Sequence, residues 1–388
     1  MDRYRYPCTG HIGMKGFGSF LEKECTGSRR NIRLFTDELK QEFKLPYLAL
    51  VNSGSSANLV AALAMAKKLK DAGKPLVAAI SAFTFPTTLS SLLLAGFSIR
   101  MVDVEKDGFN MDSQKLKDAI DGCSLIVPTH FLGFPCDMAA IRKLADGHGC
   151  LILQDGCETI RLEIDEKPAF SYGDMLTWSF YHPHHLSSYG GGGIICLNQD
   201  DYILLDSIIH WGRACRCHID PALCRNPDGP AHQFTYENVG LNAEISELNA
   251  AFGRWQLRRF RKDEEKRLQN YNLLYESLKE TDGIRVYPHP DCKGSLFVFP
   301  VRLKNGMTVK DAYEILRRKG VEIRTLMGGV TNEQPAFKHI SSDMFAEAHK
   351  MAEHTFFVGI HQTLPAEDVV SVAMILKDSL TGSTPDRD

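Results

Sequence analysis

Tyr47-Leu48-Ala49-Leu50-Val51-Asn52-Ser53-Gly54-Ser55-Ser56-Ala57-Asn58-Leu59 decides the architecture of this 388-residue chain. An apolar run reads as a buried strand, a Gly/Ser turn follows at once, and an amphipathic helix starts near Ser56. Strand, tight turn and helix in that order open a parallel α/β unit. The turn at Gly54, Ser55 and Ser56 offers backbone N–H groups, two hydroxyls and the positive end of a helix dipole, a combination suited to phosphate. An ordinary helix cap uses the same residues, so this stretch alone leaves both readings open.

Outward from it the alternation continues. Strand-like runs at Leu76–Ser81, Ser98–Val104, Leu125–Thr129 and Leu151–Asp155 are separated by helical patterns at Ser56–Lys70, Thr87–Ala95, Ser113–Ile120 and Met138–Gly147. The pattern predicts a mainly parallel sheet with helices on both faces, and ligands at the carboxyl ends of its strands. Past Gly193 it changes to a helix near Tyr202–Trp211, a Cys/Pro-rich loop, and a long helical stretch from about Ala243 into Leu278. Ser295–Arg302, Val309–Lys319 and Val321–Thr325 read as strand, helix and strand of a smaller α+β unit, closed by a helix at Ala366–Leu380 and a disordered tail at Gly382–Asp388. The expected division is an N-terminal arm (1–30), a large domain (31–270) carrying the Cys-rich loop 213–230, and a small C-terminal domain (271–388).

The bulk properties remove several classes of function. A net charge of −3 leaves no basic field for nucleic acid. Leu59–Ala66, the longest apolar stretch, ends at Lys67–Lys68 and is too short to span a bilayer, and no secretory signal is expected at Met1–Pro7. Eleven cysteines with no secretion signal point to the cytoplasm and reduced thiols rather than disulfides. Cys123, Cys150 and Cys196 sit in apolar runs and read as core, whereas Cys215, Cys217 and Cys224 crowd a polar loop where ligands are found.

Three further strand ends carry chemistry. Phe83 and Phe85 follow the second strand, where a ring could stack on a planar cofactor or simply pack in the core. Asp155 ends the fifth apolar run, the place for a carboxylate that pairs with a protonated ring nitrogen, although a helix cap would look alike. Ser179-Phe180-Tyr181-His182-Pro183-His184-His185 precedes Gly190–Gly193; three histidines in four residues suggest metal, but Pro183 places them on a loop with no second ligand cluster nearby.

In order, spacing and flanks these elements resemble the sugar-aminotransferase family of PLP enzymes, the DegT/DnrJ/EryC/StrS group. The likeness runs from about Arg30 to Leu380 and includes Pro-x-His-x-x-Gly-x-Pro-x-Asp-Met at Pro128–Met138. It implies the type I PLP-dependent transferase fold, like aspartate aminotransferase. It also implies cofactor phosphate on Ser55, Ser56 and Ser179, Phe85 against the pyridine ring, and Asp155 on its nitrogen. Asn242 matches an asparagine that reaches the neighbouring subunit's phosphate, so a homodimer is expected.

Family members form their Schiff base through a lysine five residues after the Ser of the Ser-Phe pair; here that position is His184. Imidazole cannot replace that covalent link but transfers protons well near neutral pH. The replacement is similar to the branch of 3-dehydrases, which implies PMP-dependent loss of the C3 hydroxyl from a nucleotide-linked 4-keto-6-deoxyhexose, with His184 or His185 as base. Within that branch Cys157, Cys215-x-Cys217 and Cys224 resemble the iron–sulfur CDP-4-keto-6-deoxyglucose 3-dehydrases, whose spacing of 57 residues before the Cys-x-Cys pair recurs here. The resemblance implies a [2Fe–2S] cluster fed by a separate reductase; a zinc site or four unrelated thiols remain alternatives. The Cys217–Cys224 gap is one residue shorter than in that subgroup, Gly190 stands where the family usually has Glu, and His182–Pro183 replaces a Pro-small pair. Rival readings are a cluster-free, glutamate-dependent 3-dehydratase, a non-catalytic regulator that binds PMP or sugar nucleotide, and transamination through another lysine.

Overall fold

A computed structural model of the chain describes residues 4–10, 12–24, 29–217, 219, 221–224, 229, 231–290, 292–294, 296–341 and 343–381. The tail at 382–388 expected to be disordered lies outside them, as does part of the loop 213–230.

The first five apolar runs form β1 (Tyr47–Val51), β2 (Val77–Ser81), β3 (Ser98–Val102), β4 (Leu125–Val127) and β5 (Leu151–Asp155). After a short hairpin, β6 (Glu163–Ile164) and β7 (Lys167–Pro168), come β8 (Met175–Ser179) and β9 (Gly192–Cys196). Apart from the hairpin these make a sheet ordered β1-β9-β8-β5-β4-β2-β3. Strand β9 is antiparallel to both β1 and β8, and the remaining pairs are parallel. The expected mainly parallel sheet is therefore present, with β9 alone reversed.

Period-two alternation sorts side chains to two faces. Ala49, Val51, Ile80, Val127 and Leu153 pack in one cluster with residues of α3 (Gly54–Asp71), α4 (Pro86–Leu94) and α7 (Gln199–Ile209). Leu48, Leu50 and Trp178 face the other way, against α2 (Arg30–Phe43) and α8 (Glu247–Leu257). Ala79, Ile126 and Ile152 continue that second face under α5 (Ser113–Ala119) and α6 (Met138–His148). Cys123, Cys150 and Cys196 are buried, as their apolar settings predict.

The long helical stretch from 243 to 278 is two helices, α8 and α9 (Phe260–Leu278), broken at Arg258–Arg259. The break lets Phe260 pack with α2, while Tyr271, Leu274 and Leu278 enter a second core. That core holds an antiparallel sheet of β10 (Ile284–Val286), β11 (Phe299–Leu303), β12 (Arg324–Thr325) and β13 (Thr355–Val358), ordered β10-β11-β13-β12. Against it pack α10 (Val309–Arg318) and α12 (Ala366–Leu380), with α11 (Ala346–His354) contributing Ala348 and Met351 to the first core. Near the N-terminus, Tyr6 pairs with Val321 and joins the second core, and α1 (Phe17–Glu24) sets Phe17 edge-on to Phe252 of α8.

Candidate active site

Because β1, β2, β5 and β8 run in one direction, their last residues Val51, Ser81, Asp155 and Ser179 share one edge of the sheet. Gly192 opens the reversed β9 at that edge, opposite Val51 and Ser179. The four stretches singled out in the sequence thus converge there.

At α3 the Ser53 hydroxyl caps the helix by accepting from Ser56 N at 3.0 Å, worth about 1 kcal/mol. Ser55 Oγ donates to Thr87 Oγ1 at 2.9 Å and Ser56 Oγ to Asn52 Oδ1 at 2.5 Å, which lock the turn to the start of α4 and to the end of β1. Gly54 lets the helix N-terminus touch β8: a Cβ there would lie 2.7 Å from Ser179 Cβ, 2.9 Å from its Oγ and 3.1 Å from Cys157 Sγ. Gly54→Ala should therefore cost about 1–3 kcal/mol and weaken PMP binding. Gly147→Ala, on α6 with open space around it, should instead stabilise by about 0.5–1 kcal/mol. Thermal melts and PMP titration of both variants check this; equal behaviour would remove the cradle argument.

Asp155 is 2% exposed. Its Oδ2 accepts from Thr88 Oγ1 at 2.5 Å and Asn58 Nδ2 at 3.1 Å, and Thr177 Oγ1 donates in turn to Asn58 Oδ1 at 2.6 Å. Its Oδ1 accepts from Cys157 N at 3.0 Å. A carboxylate oxygen takes two donors, so Oδ1 keeps room for a ring N–H. Phe85 precedes α4, one turn before Thr88, and is 48% exposed, leaving a ring face available; Phe83 is buried and stacks on Phe131 in the core. The donor set, the half-exposed ring and the Gly54 cradle fit a pyridoxal-type cofactor.

His184 is tied to the same loop. Its Nδ1 lies 2.6 Å from Cys157 O, and a carbonyl can only accept, so Nδ1 carries the hydrogen and Nε2 the lone pair. Burial pushes its imidazolium down to about pH 4, partly opposed by the Cys157 carbonyl and assisted by the charge of Arg267. The ring packs on Phe297 with centroids 4.8 Å apart. His185 is buried and faces the same phenylalanine at 6.1 Å. Arg267, fully buried on α9, donates to the Leu296 and Phe297 carbonyls and so fixes that wall.

The departures from the family pattern have local explanations. Gly190 has φ +136°, a backbone that a glutamate side chain would strain. His182 stacks on Tyr189 at 5.1 Å, filling the place of the Pro-small pair with a ring contact.

Sequence reasoning did not find Asn58, Thr88 or Thr177, since neutral side chains beside a carboxylate leave no pattern. It also passed over Glu158, which follows Asp155 by three residues. Burial raises its carboxyl to about 8, against a stabilising bond from Leu132 N. His130, in the Pro128–Met138 stretch, is fully buried and contacts Gln154 Oε1 at 3.0 Å through Nε2.

Cys215, Cys217 and Cys224 gather with His232, their ligand atoms all within 4.8 Å of one another, and Cys157 is not among them. Cys157 lies under Gly54 with its Sγ 3.9 Å from Thr177 Oγ1, and burial followed by the charge of Asp155 pushes its thiol well above the usual range. Of the four cysteines expected to hold a [2Fe–2S] cluster, Cys157 follows β5 and the other three lie in the excursion after α7. Asn242 bridges to His210 and is exposed. Among the described residues no helix is long and apolar enough to cross a membrane.

Residues 17–377 match the model of the DegT/DnrJ/EryC1/StrS aminotransferase family. A dTDP-4-dehydro-2,6-dideoxy-D-glucose 3-dehydratase of Saccharopolyspora spinosa is 28% identical, over 85% of this chain and 76% of that protein. A GDP-4-keto-6-deoxy-D-mannose 3-dehydratase of Yersinia pseudotuberculosis is 29% identical, over 89% and 91% respectively. The structure of the Escherichia coli GDP-4-keto-6-deoxy-D-mannose-3-dehydratase with bound hydrated PLP superposes with a TM-score of 0.87 at 22% identity, covering 97% of this chain and 100% of that one.

Proposed function

The chain belongs to the DegT/DnrJ/EryC1/StrS aminotransferase family, and on that premise we propose that it is a PMP-dependent enzyme that removes the C3 hydroxyl of a nucleotide-linked 4-keto-6-deoxyhexose. The observation that carries the reading is His184, a neutral imidazole hung from the loop that follows Asp155, where the family pattern places an amine. The 3-dehydratase names of the 28% and 29% identical relatives support the same reaction.

Bound PMP supplies an amine for the C4 ketone and an electron-withdrawing pyridinium. The protein contributes the rest. The α3 turn with Ser55, Ser56 and Ser179 binds the phosphate, and Asp155 Oδ1 accepts the ring N–H. Phe85 covers the ring face. His184 Nε2 takes the proton whose removal starts expulsion of the C3 hydroxyl, and as imidazolium it can return a proton to the departing oxygen. His185 and Phe297 close the wall around it. The exposure of Asn242 supports its reaching a second subunit, so the working unit in this reading is a homodimer.

How the dehydrated product is processed is a finer matter. A [2Fe–2S] cluster on Cys157, Cys215, Cys217 and Cys224, fed by a separate reductase, would make the overall reaction a deoxygenation. The proximity of Cys215, Cys217 and Cys224 supports a metal centre in this loop, and Cys157 is not within the same 4.8 Å group. Glutamate as co-substrate is the rival route and asks nothing of the cysteines.

The test is incubation of PMP-loaded protein with a nucleotide-linked 4-keto-6-deoxyhexose, followed by NMR of the sugar. Loss of the C3 carbinol signal is expected. An amino sugar would mean transamination, and tight binding without turnover would mean a regulator; either outcome removes the proposal.

A further inference from the structure

We propose that Cys215, Cys217, Cys224 and His232 form a mononuclear, tetrahedral zinc site that clamps the loop after α7, with His232 rather than Cys157 as its fourth ligand. The proposal stands apart from the sugar chemistry.

Distance is the first argument. Zn–S bonds of about 2.3 Å and Zn–N bonds of about 2.0–2.1 Å put tetrahedral ligand atoms about 3.5–3.8 Å apart. Cys215 Sγ and Cys224 Sγ are 3.8 Å apart, and Cys217 Sγ and His232 Nε2 are 3.4 Å apart. All four atoms lie within 4.8 Å of one another. A two-iron cluster spreads its ligands over both metals, so ligands of different irons stand well beyond the separations of a single-metal tetrahedron. This group is compact enough for one ion.

The second argument is the tautomer of His232. Its Nδ1 is 2.5 Å from Gly229 O, which can only accept, so Nδ1 carries the hydrogen and Nε2 presents its lone pair to the thiols. A ring N–H given to a backbone carbonyl is how metal-bound histidines are oriented. Three soft sulfurs and one imidazole in a tetrahedron suit zinc, and four protein ligands leave no open position, the mark of a structural site.

The third argument is the chain path. The excursion is closed at its base, where Arg213 bridges Tyr236 and Ala214 N donates to Thr235 O at 2.9 Å. Within it lie two short 3₁₀ turns, Pro221–Leu223 and His232–Phe234. A metal tying residues 215, 217, 224 and 232 gives this segment a centre that its polar composition does not.

The experiment uses full-length protein produced with zinc and iron both available, purified without oxygen or chelator, and assayed for metals and acid-labile sulfide. About one zinc per chain is expected, with no sulfide. Cobalt(II) exchanged into the site should show thiolate charge-transfer bands and intense tetrahedral d–d bands. His232→Ala should weaken zinc binding by at least about 100-fold, beyond what loss of an outer-shell partner costs, and His232→Cys should restore it; PMP binding by each variant reports that the fold is intact. Cys157→Ser should leave the metal content unchanged. About two irons and two sulfides per chain, loss of metal in Cys157→Ser, or metal-free protein would each overturn the proposal.

Discussion

A His184→Asn variant should still bind PMP but dehydrate its sugar about 10²–10⁴-fold more slowly, the usual contribution of a positioned general base. Asparagine can keep the hydrogen bond to Cys157 O that orients residue 184, yet it has no lone pair that takes a proton near neutral pH. The wild-type pH profile provides a second readout. A base works when unprotonated, and burial holds the His184 imidazolium near 4. Activity as kcat/KM should therefore persist as pH falls through 6.5 and fail only on approach to about 4. In the wild type, borohydride should attach no cofactor to any lysine, whereas His184→Lys should gain a reducible link and lose dehydration. A phosphopyridoxyl-lysine in the wild type, or near-normal turnover in His184→Asn, would assign the chemistry to another residue.

The second large effect is expected at Asp155. Asp155→Asn preserves volume and keeps an oxygen for Thr88 and Asn58, so the fold should survive. At Oδ1 it substitutes an NH₂ that faces both the Cys157 N–H and the ring nitrogen. A ring nitrogen that receives a hydrogen bond is no longer held protonated, and the electron sink is lost. A cost of about 3–4 kcal/mol, or roughly 10²–10³-fold in turnover, is expected of the folded variant. The measurement is single-turnover dehydration with saturating PMP. A rate close to wild type would place the cofactor elsewhere.

What the sequence revealed, and what it withheld, follows from how local each signal is. Strands β1 to β5 and helices α3 to α6 appear within a residue or two of their apolar patterns, because buried strands and amphipathic helices announce themselves by periodicity. Asp155 and the Ser53–Ser56 turn were legible for the same reason: each ends a clear strand. Strand β9 was not, since Gly192 and Gly193 carry no side chains to alternate, and β8 is a five-residue run buried on both faces that shows no alternation. The break between α8 and α9 has no Gly or Pro to mark it; it is set by the two cores that claim Phe260 and Tyr271. Around the thiols, the resemblance directed attention to cysteine alone. His232 could have been found by asking which imidazoles lie within a few residues of the Cys-rich loop.

The reversed strand also bears on how the protein is made. Strand β1 leaves the ribosome early, but its partner in the sheet is β9, so Val51 waits for Gly192, roughly 140 residues later. Until then β1 is an apolar edge with unsatisfied backbone groups, the kind of edge that recruits other chains. Pairing at such sequence separation is slow because a long loop must close before it is rewarded. Nascent chains released before about residue 196 should therefore aggregate, and chains that extend past β9 should be the first to resist proteolysis.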